Sequence, residues 1–230
     1  GKSLYASNST DHVAATHVSF SRPFRRGTAT QGQEVFSWEY QLVRFLEREG
    51  LDVAYTTDID THGDPGSLLG RRLTITAGHD EYWSREIRNA FEAARDSGVN
   101  LAIMGSNTGY WQVRFADGER TMVGYKSAVS DPEPDPSRKS ARFRDLVPAR
   151  PECQLMGVQY EDGIDSDNIR RDFTVATEAL SHPWLQGTGF TAGATLPWAV
   201  GYEWDTVKPD CTAAEPTVRH TPRPWPSTRE

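Results

Sequence analysis

Apolar residues recur along this chain in two rhythms, and each predicts an element. Leu73 to Ala77 is a short, β-branched run that predicts a strand. After it, Ile87, Ala90, Phe91 and Ala94 fall at helical spacing. Ser84 stands where an N-cap belongs, and Gly98 where a helix stops. Val99 to Met104 is the next apolar run, broken by Gly105-Ser106-Asn107-Thr108-Gly109. Upstream, Val35, Trp38, Leu42, Phe45 and Leu46 form a helical stripe closed by Gly50, and Asp52 to Thr57 predicts a strand. Further strands are expected at Leu155 to Tyr160, Phe173 to Thr177 and Leu196 to Tyr202. Strand, helix and strand alternate with short links. Right-handed crossovers then give an α/β fold, a mostly parallel sheet in three layers with helices on both faces.

That fold has a geometric consequence. In parallel strands every carboxyl end lies on one rim, and open sheets bind their ligands there. Asp58-Ile59-Asp60-Thr61-His62 follows the strand at 52–57, His79-Asp80-Glu81 follows 73–77, and Ser106-Asn107-Thr108 follows 99–104. The three clusters are expected to converge. Two of them carry aromatic pairs just beyond, Tyr82-Trp83 and Tyr110-Trp111, and placed polar groups within an apolar wall suit a small-molecule pocket. In an extended turn His79 and Glu81 point the same way, while Asp80 faces the other side. Asp58 and Asp60 read more simply as turn formers.

Composition narrows the function classes. A length of 230 residues allows one sizeable domain with ample core, here 1–205, followed by an irregular tail at 206–230 with five prolines. The run Asp131-Pro132-Glu133-Pro134-Asp135-Pro136 can neither pair in a sheet nor continue a helix, and predicts an exposed loop near 128–140. A net charge of −7 leaves no electrostatic footprint for nucleic acid. No apolar run approaches the roughly 20 residues a bilayer crossing needs, so no membrane partner is expected. Cys153 and Cys211 have no paired ligand spacing, which argues against a disulfide scaffold and a thiolate zinc site and points to a reducing, cytoplasmic setting.

The catalytic patterns that can be checked are mostly absent. Gly-x-Ser-x-Gly does not occur, since Ser106 stands one place too early after Gly105. Neither cysteine follows a strand with flanking glycines, and no phosphate-cradling glycine loop is present. What remains is carboxylate, imidazole, amide and phenol chemistry, which suits hard cations or direct acid–base work. His17, His182 and His220 have no patterned partners and read as ordinary histidines.

Several longer blocks resemble one family. Ser19-Phe20-Ser21-Arg22-Pro23-Phe24, Trp38-Glu39-Tyr40-Gln41-Leu42-Val43-Arg44, Gly78-His79-Asp80-Glu81-Tyr82-Trp83-Ser84 and Gly105-Ser106-Asn107-Thr108-Gly109-Tyr110-Trp111-Gln112 are similar to the large (beta) subunit of N,N-dimethylformamidase. Arg150-Pro151-Glu152 through Gly157-Val158-Gln159-Tyr160 and Gly201-Tyr202-Glu203-Trp204-Asp205 extend the resemblance to roughly residues 1–205. It implies a glutamine-amidotransferase-like, flavodoxin-like α/β domain. It also implies an amidohydrolase that cleaves a small amide C–N bond through an iron-activated water, the Fe3+ held by two tyrosines and a glutamate.

Carried over, Glu81 is the carboxylate ligand, His79 the adjacent imidazole, Asn107 a substrate-orienting amide and Glu203 an acid–base carboxylate. The implied substrate is a small-molecule amide, with a small partner subunit and a homo-oligomer as further expectations. The chain departs from the pattern at its start. The family's tyrosine ligands are expected upstream of a Trp-Gly-Gly-x-Ser-Leu-Tyr run, of which Gly1-Lys2-Ser3-Leu4-Tyr5 is kept. Tyr5 is then the nearest resident phenol, and the domain reads as truncated at its N-terminus. A non-catalytic fragment, or a binding or assembly domain on the same scaffold, is the alternative.

Overall fold

Local signals account for the central helix and the strands around it. In a computed structural model, residues 1–22, 38–160, 171–200, 203–208 and 211 are described. They form strand β1 (His17–Ser19), helices α1 (Tyr40–Arg48) and α2 (Asp58–Gly63), strands β2 (Leu73–Ala77) and β3 (Tyr82–Ser84), and helix α3 (Arg85–Asp96). Strands β4 (Asn100–Met104), β5 (Trp111–Ala116) and β6 (Thr121–Val123) follow, then helix α4 (Cys153–Met156). The last strands are β7 (Val158–Tyr160), β8 (Arg171–Thr174), β9 (Thr195–Val200) and β10 (Asp205–Val207). Ser84 caps α3 as expected, its Oγ accepting the Ile87 N–H at 3.1 Å, and Gly98 leaves the helix at φ +88°. The apolar stripe of α3 packs Ile87, Ala90, Phe91 and Ala94 against Trp83, Phe143, Leu146 and Leu155. Trp83 stacks on Phe91 with ring centroids 4.3 Å apart.

The α/β class stands, with parallel pairing of β2 with β4 and of β3 with β5. The single three-layer sheet is not seen among the described residues. Instead β1, β6, β5 and β3 form a mixed four-stranded sheet, and β2–β4, β7–β10 and β8–β9 are separate pairs. Residues 52–57 do not form a strand. Thr57 caps α2 through a reciprocal capping box with Asp60, so local bonding takes this segment out of sheet pairing and puts Asp58, Asp60 and His62 on a helix. His79-Asp80-Glu81 leads first into β3 rather than directly into a helix. Leu155 lies in α4, because Gly157 at φ +76° ends that helix just before β7. Val35, Gly201, Tyr202 and most of the 206–230 tail lie outside the described residues.

The cysteine expectation is corrected. Cys153 and Cys211 form a disulfide, with Cα atoms 6.1 Å apart across 58 residues of sequence. Motif spacing reports only near neighbours, whereas here β7 and β10 pair and bring the two ends together. Closing a loop of that length constrains the unfolded chain by about 4 kcal/mol. The cysteines therefore no longer support a reducing compartment. No helix among the described residues is long and apolar enough to cross a membrane.

The proline–acid run is irregular, and it is anchored at its start. Asp131 is 2% exposed and accepts from Arg114 Nη1 at 2.7 Å, Arg114 Nη2 at 2.9 Å and the Ser140 hydroxyl at 2.6 Å. Burial alone would raise this carboxyl, but the bonds from Arg114 and Ser140 outweigh it and hold it well below the ordinary carboxylate range. Its folded pKa is depressed, so its stabilisation is complete above the ordinary carboxylate value and lost as pH falls toward the lower folded one. Asp131→Asn is expected to cost about 3 kcal/mol at pH 7, the scale for removing one partner of a buried ion pair. In urea unfolding, the gap from wild type should hold from neutral pH down to about 5 and narrow below about 4. A gap that widens in acid would refute the assignment.

Candidate functional site

Two loops meet where the parallel pair β2–β4 ends. Ala77 and Met104 are partners at the carboxyl edge, and Gly78 turns the chain at φ +72°. Gly105 packs directly on the Gly78 carbonyl, so closely that no side chain fits there. The backbones beyond are laced together. Gly109 N–H donates to the Asp80 carbonyl at 2.7 Å, and the Tyr110 and Trp111 N–H groups donate to the Glu81 carbonyl at 3.0 and 2.9 Å. The His79–Glu81 and Asn107 segments thus share one corner, as parallel strand ends require.

Glu81 sits in a cluster of phenols. The Tyr5 hydroxyl donates to its two carboxylate oxygens at 2.8 and 3.1 Å, and the Tyr82 hydroxyl donates to the Tyr5 oxygen at 2.5 Å. The Lys126 ammonium lies 3.5 Å from the Tyr5 ring centroid, 5.0 Å from that of Tyr82 and 5.4 Å from that of Trp111. Burial raises the Glu81 carboxyl, opposed by the Tyr5 hydrogen bond, the Lys126 charge, the Trp111 side chain and His79. Burial, and then the Glu81 charge, push both phenols well above the usual tyrosine range. Burial lowers Lys126 to about 8, with Glu81 pulling the other way.

The other expected residues gather nearby. His79 is exposed, with its ring 5.0 Å from that of Trp38. Burial raises the Glu203 carboxyl, Glu81 raises it further and His79 opposes, so these three lie within electrostatic reach of one another. Asn107 is 7% exposed at φ +58°; its N–H donates to Asp205 Oδ1 at 2.9 Å. The Asn107 Oδ1 is buried and has no hydrogen-bond partner among the described residues. Buried polar atoms are nearly always paired, so this one is an exception that calls for an explanation.

The third cluster divides. Burial and the Asp80 charge raise the Asp58 carboxyl, which bonds Asp80. Asp80 itself faces inward, accepting from the Thr76 hydroxyl and, at 2.6 Å, from Trp83 Nε1. His62 goes elsewhere, its Nδ1 lying 2.7 Å from the Ser84 Oγ beside a separate hollow of about 360 Å³. A larger cleft of about 570 Å³, lined by Tyr110, Trp111, Lys126, Ser127 and Arg142 among others, adjoins the Glu81 cluster.

Sequence reasoning missed Tyr82, Lys126 and Asp205. Tyr82 was read as an aromatic wall, although its place next to Glu81 was a usable signal. Asp205 ends the stretch Gly201-Tyr202-Glu203-Trp204-Asp205 and carries no pattern that marks a role. Lys126 had no signal at all, because only the turn after β6 brings it over Tyr5. No three histidine, cysteine, aspartate or glutamate side chains among the described residues form a group able to hold a metal ion. The donors gathered at Glu81 are phenol oxygens.

A family model described as N,N-dimethylformamidase beta subunit-like, C-terminal, covers residues 1–224. No curated protein matches the chain.

Proposed function

The chain belongs to the N,N-dimethylformamidase beta subunit-like, C-terminal family, and from that premise we propose that its site hydrolyses the carbon–nitrogen bond of a small amide. The observation that carries this reading is the Tyr5–Glu81–Tyr82 cluster. Two phenols and a carboxylate at one point are a hard oxygen donor set, matched to Fe3+. A ferric ion held by Tyr5, Tyr82 and Glu81 would act as a Lewis acid toward the amide carbonyl.

The chain's own residues supply the rest. Hydrolysis needs a water that loses a proton and an amine nitrogen that gains one. Glu203, raised by burial and by Glu81, is suited to take the first proton and deliver the second. His79 moderates the charge of both carboxylates. Asn107 offers its unpartnered amide end to orient the substrate. Lys126 lines the open cleft and places a positive charge over the Tyr5 ring, one that titrates away as pH rises through about 8. A small partner subunit and self-association belong to the same proposal.

The test is spectroscopic. Ferric iron added to the protein is expected to bind at one ion per chain with a visible phenolate-to-iron charge-transfer band, and Tyr5→Phe should weaken or shift that band. Amide hydrolysis that persists undiminished after metal removal would overturn the reading.

A further inference from the structure

Asn107 holds a left-handed backbone conformation, φ +58°, which asparagine adopts more readily than other non-glycine residues. Its N–H donates to Asp205 Oδ1 at 2.9 Å, tying this turn to the chain 98 residues on. Asp205 begins β10, and among the described residues β10 pairs with β7 alone, through Asp205–Tyr160, Thr206–Gln159 and Val207–Val158. A two-stranded ladder that short is marginal by itself. Its second fastening is covalent, the disulfide from Cys211 back to Cys153 at the start of α4. Two residues before Asp205, Glu203 stands within electrostatic reach of Glu81 and His79. Arg144 braces the same corner, donating to the Tyr160 carbonyl at 2.8 Å and to Glu152 Oε1 at 3.1 Å.

We infer that the strap Glu203–Lys208, tied to the body at Cys211, completes the site, that Asp205 is the positioning residue for Asn107, and that the Cys153–Cys211 disulfide keeps it there. A dithiol opens that lock in two steps. One thiolate attacks a protein sulfur and releases the other as a thiolate; the second reagent thiol then resolves the mixed disulfide. Both cysteines end as thiols and the reagent as its own disulfide, two electrons and two protons having moved to the protein. The strap is then held by its short ladder, and Asn107 loses its fixed acceptor. The placing of Asn107 stands apart from the amide-hydrolysis reading; only its effect on turnover rests on that reading.

Hydrogen exchange at the Asn107 amide tests the inference without any substrate. Asp205→Ala is expected to speed exchange at Asn107 at least tenfold while the amides of α3 keep their protection. Asp205→Asn retains an Oδ1 acceptor and should restore most of the protection, which a loss of general stability would not do. Dithiothreitol treatment, and the double variant Cys153→Ser with Cys211→Ser, should reproduce the Asp205→Ala pattern. Unchanged exchange at Asn107 in Asp205→Ala would overturn Asp205 as its anchor. Free thiols on both cysteines in the air-oxidised protein, or unchanged exchange after reduction, would overturn the lock. If exchange behaves as expected but no amide is hydrolysed, the strap stands and the proposed activity falls.

Discussion

Glu81→Gln is expected to lower the proposed amide hydrolysis, by roughly 10²- to 10⁴-fold if the carboxylate works as an acid or base beside the ion. The substitution keeps the shape that Tyr5 hydrogen bonds to and removes the charge. Two roles separate cleanly in this variant. If Glu81 helps to hold iron, metal content and turnover should fall together. If it acts beside the ion, iron should stay while the rate drops. His79→Ala offers the contrast, since an imbalance of charge around Glu81 and Glu203 should slow turnover and leave most of the iron bound. Metal analysis and initial rates on the same preparations decide between them. Full turnover by Glu81→Gln would remove Glu81 from the site altogether.

Trp83→Ala is expected to produce the largest loss of stability, about 3–5 kcal/mol. Trp83 is fully buried, stacks on Phe91 at 4.3 Å and donates from Nε1 to Asp80 at 2.6 Å. Gly109 lies so close that an added Cβ would stand 2.9 Å from the indole, so the ring is also the floor beneath the Asn107 loop. Trp83→Phe separates the two contributions. It keeps most of the ring packing and loses the donor to Asp80, a deficit of about 1–3 kcal/mol for a buried acceptor left short. Urea unfolding midpoints measure both variants. Equal losses for Phe and Ala would mean that the hydrogen bond, and not the packing, holds this corner.

The sequence by itself determined what depends on near neighbours. Helix α3 was legible from its stripe, its Ser84 cap and its Gly98 stop, because helix contacts run three or four residues along the chain. Strands β2 and β4 were legible as apolar runs, and the helix between them implied parallel pairing. That pairing was enough to set Glu81 and Asn107 at one corner. The family's recurring blocks pointed to the same residues.

Tertiary structure decided whatever depends on distant approach. The segment at 52–57 looked like a strand, but a strand needs a partner, while the Thr57–Asp60 capping box needs only its own backbone. The cysteines looked unpaired because 58 residues separate them, and only β7–β10 pairing closes that distance. Lys126 over Tyr5, Tyr5 on Glu81 and Asp205 beneath Asn107 join residues 121, 76 and 98 positions apart. No local pattern encodes such contacts, since they arise from side-chain burial and strand pairing that are settled only when the whole chain folds.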